Sequence, residues 1–84
     1  GKPLTDRTPP EFTAYISKRT DSGFTVTVSS EDAQRVDVFA DGVPVLTLQQ
    51  SQLGKATEIE NIPKNAKITV TAQDEYFNEK TKRL

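Results

Sequence analysis

The chain has no cysteine, no histidine, no methionine and no tryptophan. Without cysteine it has no disulfide staple, no thiolate zinc site and no sulfur nucleophile. Without histidine, Ser-His-Asp and Cys-His constellations and imidazole-bound metals are excluded as well. Its four glycines are not arranged as a phosphate-binding loop. No apolar stretch approaches the roughly 18 residues of a helical membrane span, and no signal-peptide pattern is present. Charge of one sign is lacking too. The 11 basic and 12 acidic residues leave a net charge of −1, and no Lys/Arg footprint for nucleic acid stands out. The one basic cluster, Lys80, Lys82 and Arg83, reads as a charged strand edge. What remains at 84 residues is one small domain with a modest core. The missing cysteines fit oxidising and reducing compartments alike. Gly1, in place of an initiator methionine, suggests a piece cut from a longer chain, so the missing signal does not argue against secretion.

What is present is period-two alternation. Residues 1–10 (GKPLTDRTPP) hold three of the five prolines and one large apolar side chain, Leu4, and read as an extended Pro-rich linker. A domain over 11–84 follows. Phe12, Ala14 and Ile16 share one face. After a turn at Asp21-Ser22-Gly23, Phe24, Val26 and Val28 alternate with Thr25, Thr27 and Ser29, the pattern of a half-buried strand. Ser30 to Arg35 is a polar turn with room for one helical turn capped by Ser30. Val36, Val38 and Ala40 lead into Asp41-Gly42, a two-residue hairpin signal of type I′, which needs φ > 0 at both positions. The return strand puts Leu46 and Leu48 on one face and Val43 and Val45 on the other. Gln49 to Lys55 is a loop with Leu53 tucked beneath it. Ala56 to Ile62 is a weaker strand burying Ile59, and Pro63 to Asn65 turns the chain. Ile68, Val70 and Ala72 alternate with Lys67, Thr69 and Thr71. Asp74 to Asn78 is the last turn and Glu79 to Leu84 a short polar strand. The expectation is an all-β antiparallel sandwich of about seven strands.

Several stretches carry a family resemblance. Arg7-Thr8-Pro9-Pro10, Phe24 to Val28 and Val36-Asp37-Val38-Phe39-Ala40-Asp41-Gly42 resemble the bacterial immunoglobulin-like domains. Those domains often open on Thr-Pro-Pro and carry a Val-x-Val-aromatic-x-Asp/Asn-Gly hairpin. Ile62-Pro63, Ile68 to Asp74 and Asn78 resemble the close of fibronectin type III and bacterial Ig-like repeats. Phe77 stands where those repeats usually have glycine, and Ile68 where many type III domains place tyrosine. The resemblance implies an immunoglobulin-like sandwich in an extracellular or cell-surface setting, as a spacer or accessory module of adhesins, secreted glycosidases or cell-wall proteases.

Paired carboxylates are the remaining route to catalysis: Glu31-Asp32, Glu58 with Glu60, and Asp74-Glu75. Acid–base work needs two carboxyls in different environments within a cleft, and a small sandwich offers none, so no enzyme and no cofactor are expected. Asp6, Asp41, Asp74, Glu75 and Asn78 are hard oxygen donors. Asp74 and Asn78 are the weak calcium candidates; the competing reading is a turn bonding its own backbone. Tyr15, Phe39, Tyr76 and Phe77 are the candidate contact patch. Against that stand cross-strand packing of Phe39 on Val43 or Val45 and capping of the sandwich end by Tyr76 and Phe77. Three roles compete: a non-catalytic spacer contacting neighbouring domains of its own chain, an adhesion or carbohydrate-binding module recognising a glycan or host protein, and a phage or virion decoration domain. The fragment itself is expected to be monomeric, with no nucleic-acid partner and no membrane insertion.

Overall fold

A computed structural model describes residues 9–84; most of the Pro-rich linker lies outside the described residues. Seven strands follow in order: β1 (Thr13–Arg19), β2 (Gly23–Ser29), β3 (Arg35–Ala40), β4 (Val43–Gln49), β5 (Ala56–Glu60), β6 (Ile68–Gln73) and β7 (Glu79–Arg83). A single 3-10 turn, Gln50–Gln52, sits between β4 and β5. The strands form two sheets, β1-β2-β5 and β4-β3-β6-β7, and every pairing is antiparallel. The connections β2–β3, β4–β5 and β5–β6 pass between the sheets. The fold is the expected all-β antiparallel sandwich of seven strands.

Alternation places the core. Phe24, Val26, Val28 and Ile59 of the smaller sheet are buried with Val36, Val38, Ile68, Val70 and Ala72 of the larger one. Val26, Val28, Val36, Val38, Ile68 and Val70 are fully enclosed. Burying each such side chain is worth about 1.5–3 kcal/mol. Leu53 and Leu84 pack on this cluster from the loops and the chain end. Ala33 and Pro10 are buried as well, Pro10 being the residue assigned to the end of the linker. Ser30 caps a turn, with no helix formed: its hydroxyl accepts from the N–H groups of Asp32 (3.1 Å) and Ala33 (2.9 Å) and donates to the Glu11 carbonyl (2.7 Å). The Asp41-Gly42 hairpin has the expected pair of positive φ angles, 51° and 82°.

Two bulges correct the sequence parity. In β1 the register slips between Ile16 and Lys18. Ser17 is the extra residue, so Lys18 stays exposed and Arg19 pairs with Phe24 on the core side. The Arg19 guanidinium lies 5.9 Å from the Phe24 ring centroid and donates to the Ala66 carbonyl at 2.7 Å. In β4 the slip falls between the Val38–Leu46 and Phe39–Pro44 pairs. Val45 bulges and packs on the core beside Leu46, while Val43 pairs with Ala40. Val43 and Val45 therefore do not form an outer face, and Phe39 lies opposite Pro44 and Thr69. One extra residue is enough, because side chains alternate with period two.

Edges are protected by chemistry. Pro44 lies in edge strand β4, where its missing N–H breaks no interior ladder. On edge strand β7, Lys82 pairs with Val70 and Lys80 with Ala72, so both lysines share the inward parity of those core residues. Lys82 covers the Phe12 ring, 4.6 Å from its centroid, and donates to the Phe12 carbonyl. Lys80 pairs with Glu11 at 3.2 Å. Inward-pointing charge on an edge discourages a further strand from adding.

Candidate contact surface at the N-terminal pole

The register fixes which loops share an end. Thr13 pairs with Ser29, and Arg35 with both Gln49 and Gln73, which pairs in turn with Glu79. The start of β1, the β2–β3 and β4–β5 loops and the β6–β7 turn therefore cluster at one pole, here the N-terminal pole. The β1–β2 turn, the Asp41-Gly42 hairpin, the β5–β6 loop and Leu84, whose N–H donates to the Ile68 carbonyl at 2.9 Å, gather at the opposite pole. The described chain enters at one pole and leaves at the other.

Asp74 organises the β6–β7 turn. It is 2% exposed. One carboxylate oxygen accepts from the N–H groups of Tyr76 (2.8 Å) and Asn78 (2.9 Å), and the other accepts from the Asn78 side-chain amide (3.2 Å). The Phe77 N–H donates to the Asp74 carbonyl (3.1 Å) and the Asp74 N–H to the Asn78 carbonyl (3.0 Å). These bonds hold Phe77 at φ +64°, the left-handed region that glycine occupies most easily. This chain fills that backbone position with an aromatic. The ring is 78% exposed. Tyr76 beside it is half-buried.

The four aromatics do not form one patch. Tyr15, 56% exposed, stands opposite Thr27 on the outer face of the smaller sheet. Phe39 is half-buried on the outer face of the larger sheet. Only Tyr76 and Phe77 are brought together. Asp74 and Asn78 are neighbours, as a calcium reading requires, and they bond each other and the turn's backbone. Among the described residues no group of three or more metal-ligating side chains occurs. Glu58 and Glu60 are both exposed, across from Thr25 and Gly23.

An open groove of about 620 Å³ lies beside this pole, lined by Glu11, Phe12, Ser30, Glu31, Leu53 and Lys82 among others. Within its lining Lys82 is committed to the Phe12 carbonyl and ring, and Glu11 is paired with Lys80. A second open hollow of about 590 Å³ lies between β4 and β5, lined by Val45, Leu46, Glu58, Ile59, Glu60 and Asn61. Among the described residues no helix is long and apolar enough to cross a membrane. Sequence reasoning found Phe77 but missed Val43, which is 60% exposed at the opposite pole. Its place straight after the Asp41-Gly42 turn was the available signal. No family model, curated protein or solved structure matches the chain.

Proposed function

We propose that this domain is a non-catalytic, immunoglobulin-like spacer or accessory module of a larger surface or secreted protein. Its work is to link neighbouring domains at a fixed separation. The observation that carries this reading is the path of the chain, in at one pole and out at the other, so that neighbours attached to its two ends stand apart along the strand axis. The immunoglobulin-like part of the reading draws on two antiparallel sheets of three and four strands, although β4 stays beside β3 here and the constant-type arrangement puts its fourth strand in the other sheet. The guarded edges of the larger sheet, β4 and β7, discourage further strands from adding to that sheet.

The test is a distance measurement. Fluorophores attached to the two ends of residues 9–84 are expected to report one narrow separation, set by strands of about 3.3 Å per residue, and a Gly-Ser spacer of equal length a broad one. A broad distribution overturns the linking role. The alternative, an adhesion or glycan-binding module, draws on Tyr15 exposed over a Thr-rich sheet face. Specific glycan-array binding that is lost in Tyr15→Ala replaces the spacer reading with that one.

A further inference from the structure

We infer that the domain takes up one more β-strand, supplied by a separate basic segment. The segment lies beside β5 and over β4, with an aliphatic residue between two lysines or arginines. The added strand does not depend on the linking role proposed above.

The place for the strand follows from how the sheets overlie. Glu11 and Phe12, which lead into β1, are held by Lys80 and Lys82 of β7, so β1 lies over β7. Counting inward, β2 lies over β6 and β5 over β3. Three strands cover four, and β4 is the one left without a strand opposite. Its inner side chains reflect this: Leu48 is buried, whereas Val45 and Leu46 are only half-buried. With Ile59 they give an apolar floor to the hollow of about 590 Å³, and Glu58 and Glu60 line it too. In the constant-type arrangement the fourth strand stands beside the fifth. Here β4 joins β3 instead, and that position stays open.

The edge beside this position is also the least guarded. β1 carries the Ser17 bulge, β4 has Pro44 and the Val45 bulge, and β7 has two inward lysines. β5 pairs with β2 from Ala56 to Glu60 without a register shift and holds neither proline nor lysine. In an antiparallel ladder alternate residues turn their N–H and C=O groups away from the partner. The free side of β5 therefore offers a template for strand addition. Pro44 and its bulge keep the segment off β4 and so direct it to β5.

Glu58 and Glu60 select the chemistry of the segment. Both are exposed, and among the described residues neither is in an ion pair. Lys18 stands on the Glu58 rung beyond Thr25, about 10 Å off on the side turned from the newcomer. Lys55 comes three residues before Glu58, also about 10 Å off. Lys64 faces Asp21 at 3.9 Å. A residue paired across from either carboxylate is about 5 Å distant, well inside the screening length of about 8–10 Å. Lysine or arginine is favoured there and glutamate disfavoured, so a second β5 is repelled. Period two turns the residue between the two basic ones inward, onto Ile59, Val45 and Leu46.

The experiment titrates residues 1–84 with a capped peptide, Thr-Val-Thr-Lys-Val-Lys-Thr-Val, and follows amide shifts. Ala56 to Asn61, Val45 and Leu46 are expected to shift. The same peptide with Glu-Val-Glu at its centre is expected to bind roughly ten-fold more weakly. Glu58→Lys combined with Glu60→Lys reverses that preference at an unchanged melting temperature, because both side chains are exposed. Two further peptides, N-methylated on alternate residues of either parity, separate strand addition from charge attraction. Only the one whose remaining N–H groups turn towards β5 is expected to bind. Equal binding of those two overturns the strand, and equal binding of the Lys and Glu peptides overturns the basic segment. Shifts confined to Glu31, Glu75 and Glu79, or none at millimolar peptide, overturn the site. Shifts at β5 that grow with the domain's own concentration, without peptide, give the position to a second copy and overturn the separate segment. The end-to-end distance that tests the linking role is untouched by any of these outcomes.

Discussion

Gly23 leaves no room for a side chain. A Cβ built there falls 2.1 Å from the Ile59 carbonyl oxygen, because the first residue of β2 runs against the backbone of β5. Gly23→Ala is expected to cost about 1–3 kcal/mol, as overpacking does, read as a lower urea midpoint at unchanged slope. At the other pole, Asp74→Ala strips the acceptor from two backbone N–H groups in a confined turn. A loss of about 2 kcal/mol is expected from the cost of leaving such donors unpaired. Asp74→Asn keeps an oxygen at that place and is expected to cost less. Phe77→Gly goes the other way: relief of the left-handed backbone is expected to stabilise the isolated domain by about 1 kcal/mol, visible as a higher melting temperature. Destabilisation there instead means that the ring contributes to packing within the domain.

At the scale of the strands, β4 shows what the sequence could and could not disclose. Alternation marked its existence, the Asp41-Gly42 turn marked its start, and Leu48 was placed inside. The bulge at Val45 left no compositional trace, since an extra valine in a strand looks like any other. Yet it reversed the faces of the two residues before it and changed the neighbours of Phe39. Ser17 did the same in β1, exchanging Lys18 for Arg19 on the core side. Lys80 and Lys82 were read as solvent-facing because they are charged, whereas pairing gives them inward parity and leaves their amines capping Glu11 and Phe12. Alternation gives parity within a strand but not which sheet the strand joins. That is why Tyr15 and Phe39 looked like partners of the Phe77 turn and lie on opposite outer faces. The turn itself was legible, because Asp and Asn at its two ends are residues that bond their own backbone; the positive φ of Phe77 left no signal in the residue type. Pro44 and the bulge beside it yield a further prediction. Pro44→Val is expected to change stability by less than about 0.5 kcal/mol while speeding thioflavin-positive aggregation through the restored edge N–H. Equal aggregation rates for the two proteins remove the protective role assigned to Pro44.

For the molecule as a whole, the pairings that close the sandwich, β2 with β5 and β3 with β6, join segments far apart in sequence. Loop closure must come before those contacts stabilise anything, so refolding is expected in the millisecond-to-second range that such sandwiches show. With one contiguous core and no second unit, unfolding is expected as a single transition, checked by coincident fluorescence and circular-dichroism curves. The course of the chain between its poles has one more consequence. β1 and β7 run in the same direction, the first held from its leading end and the last from its trailing end. Tension between the two ends drags β1 along β2 and β7 along β6, so the ladder bonds of each pair bear the load together. Pulling instead between the Asp21 turn and Leu84, both at the same pole, peels the bonds apart one after another. The domain resists stretching along its own axis far better than it resists unzipping.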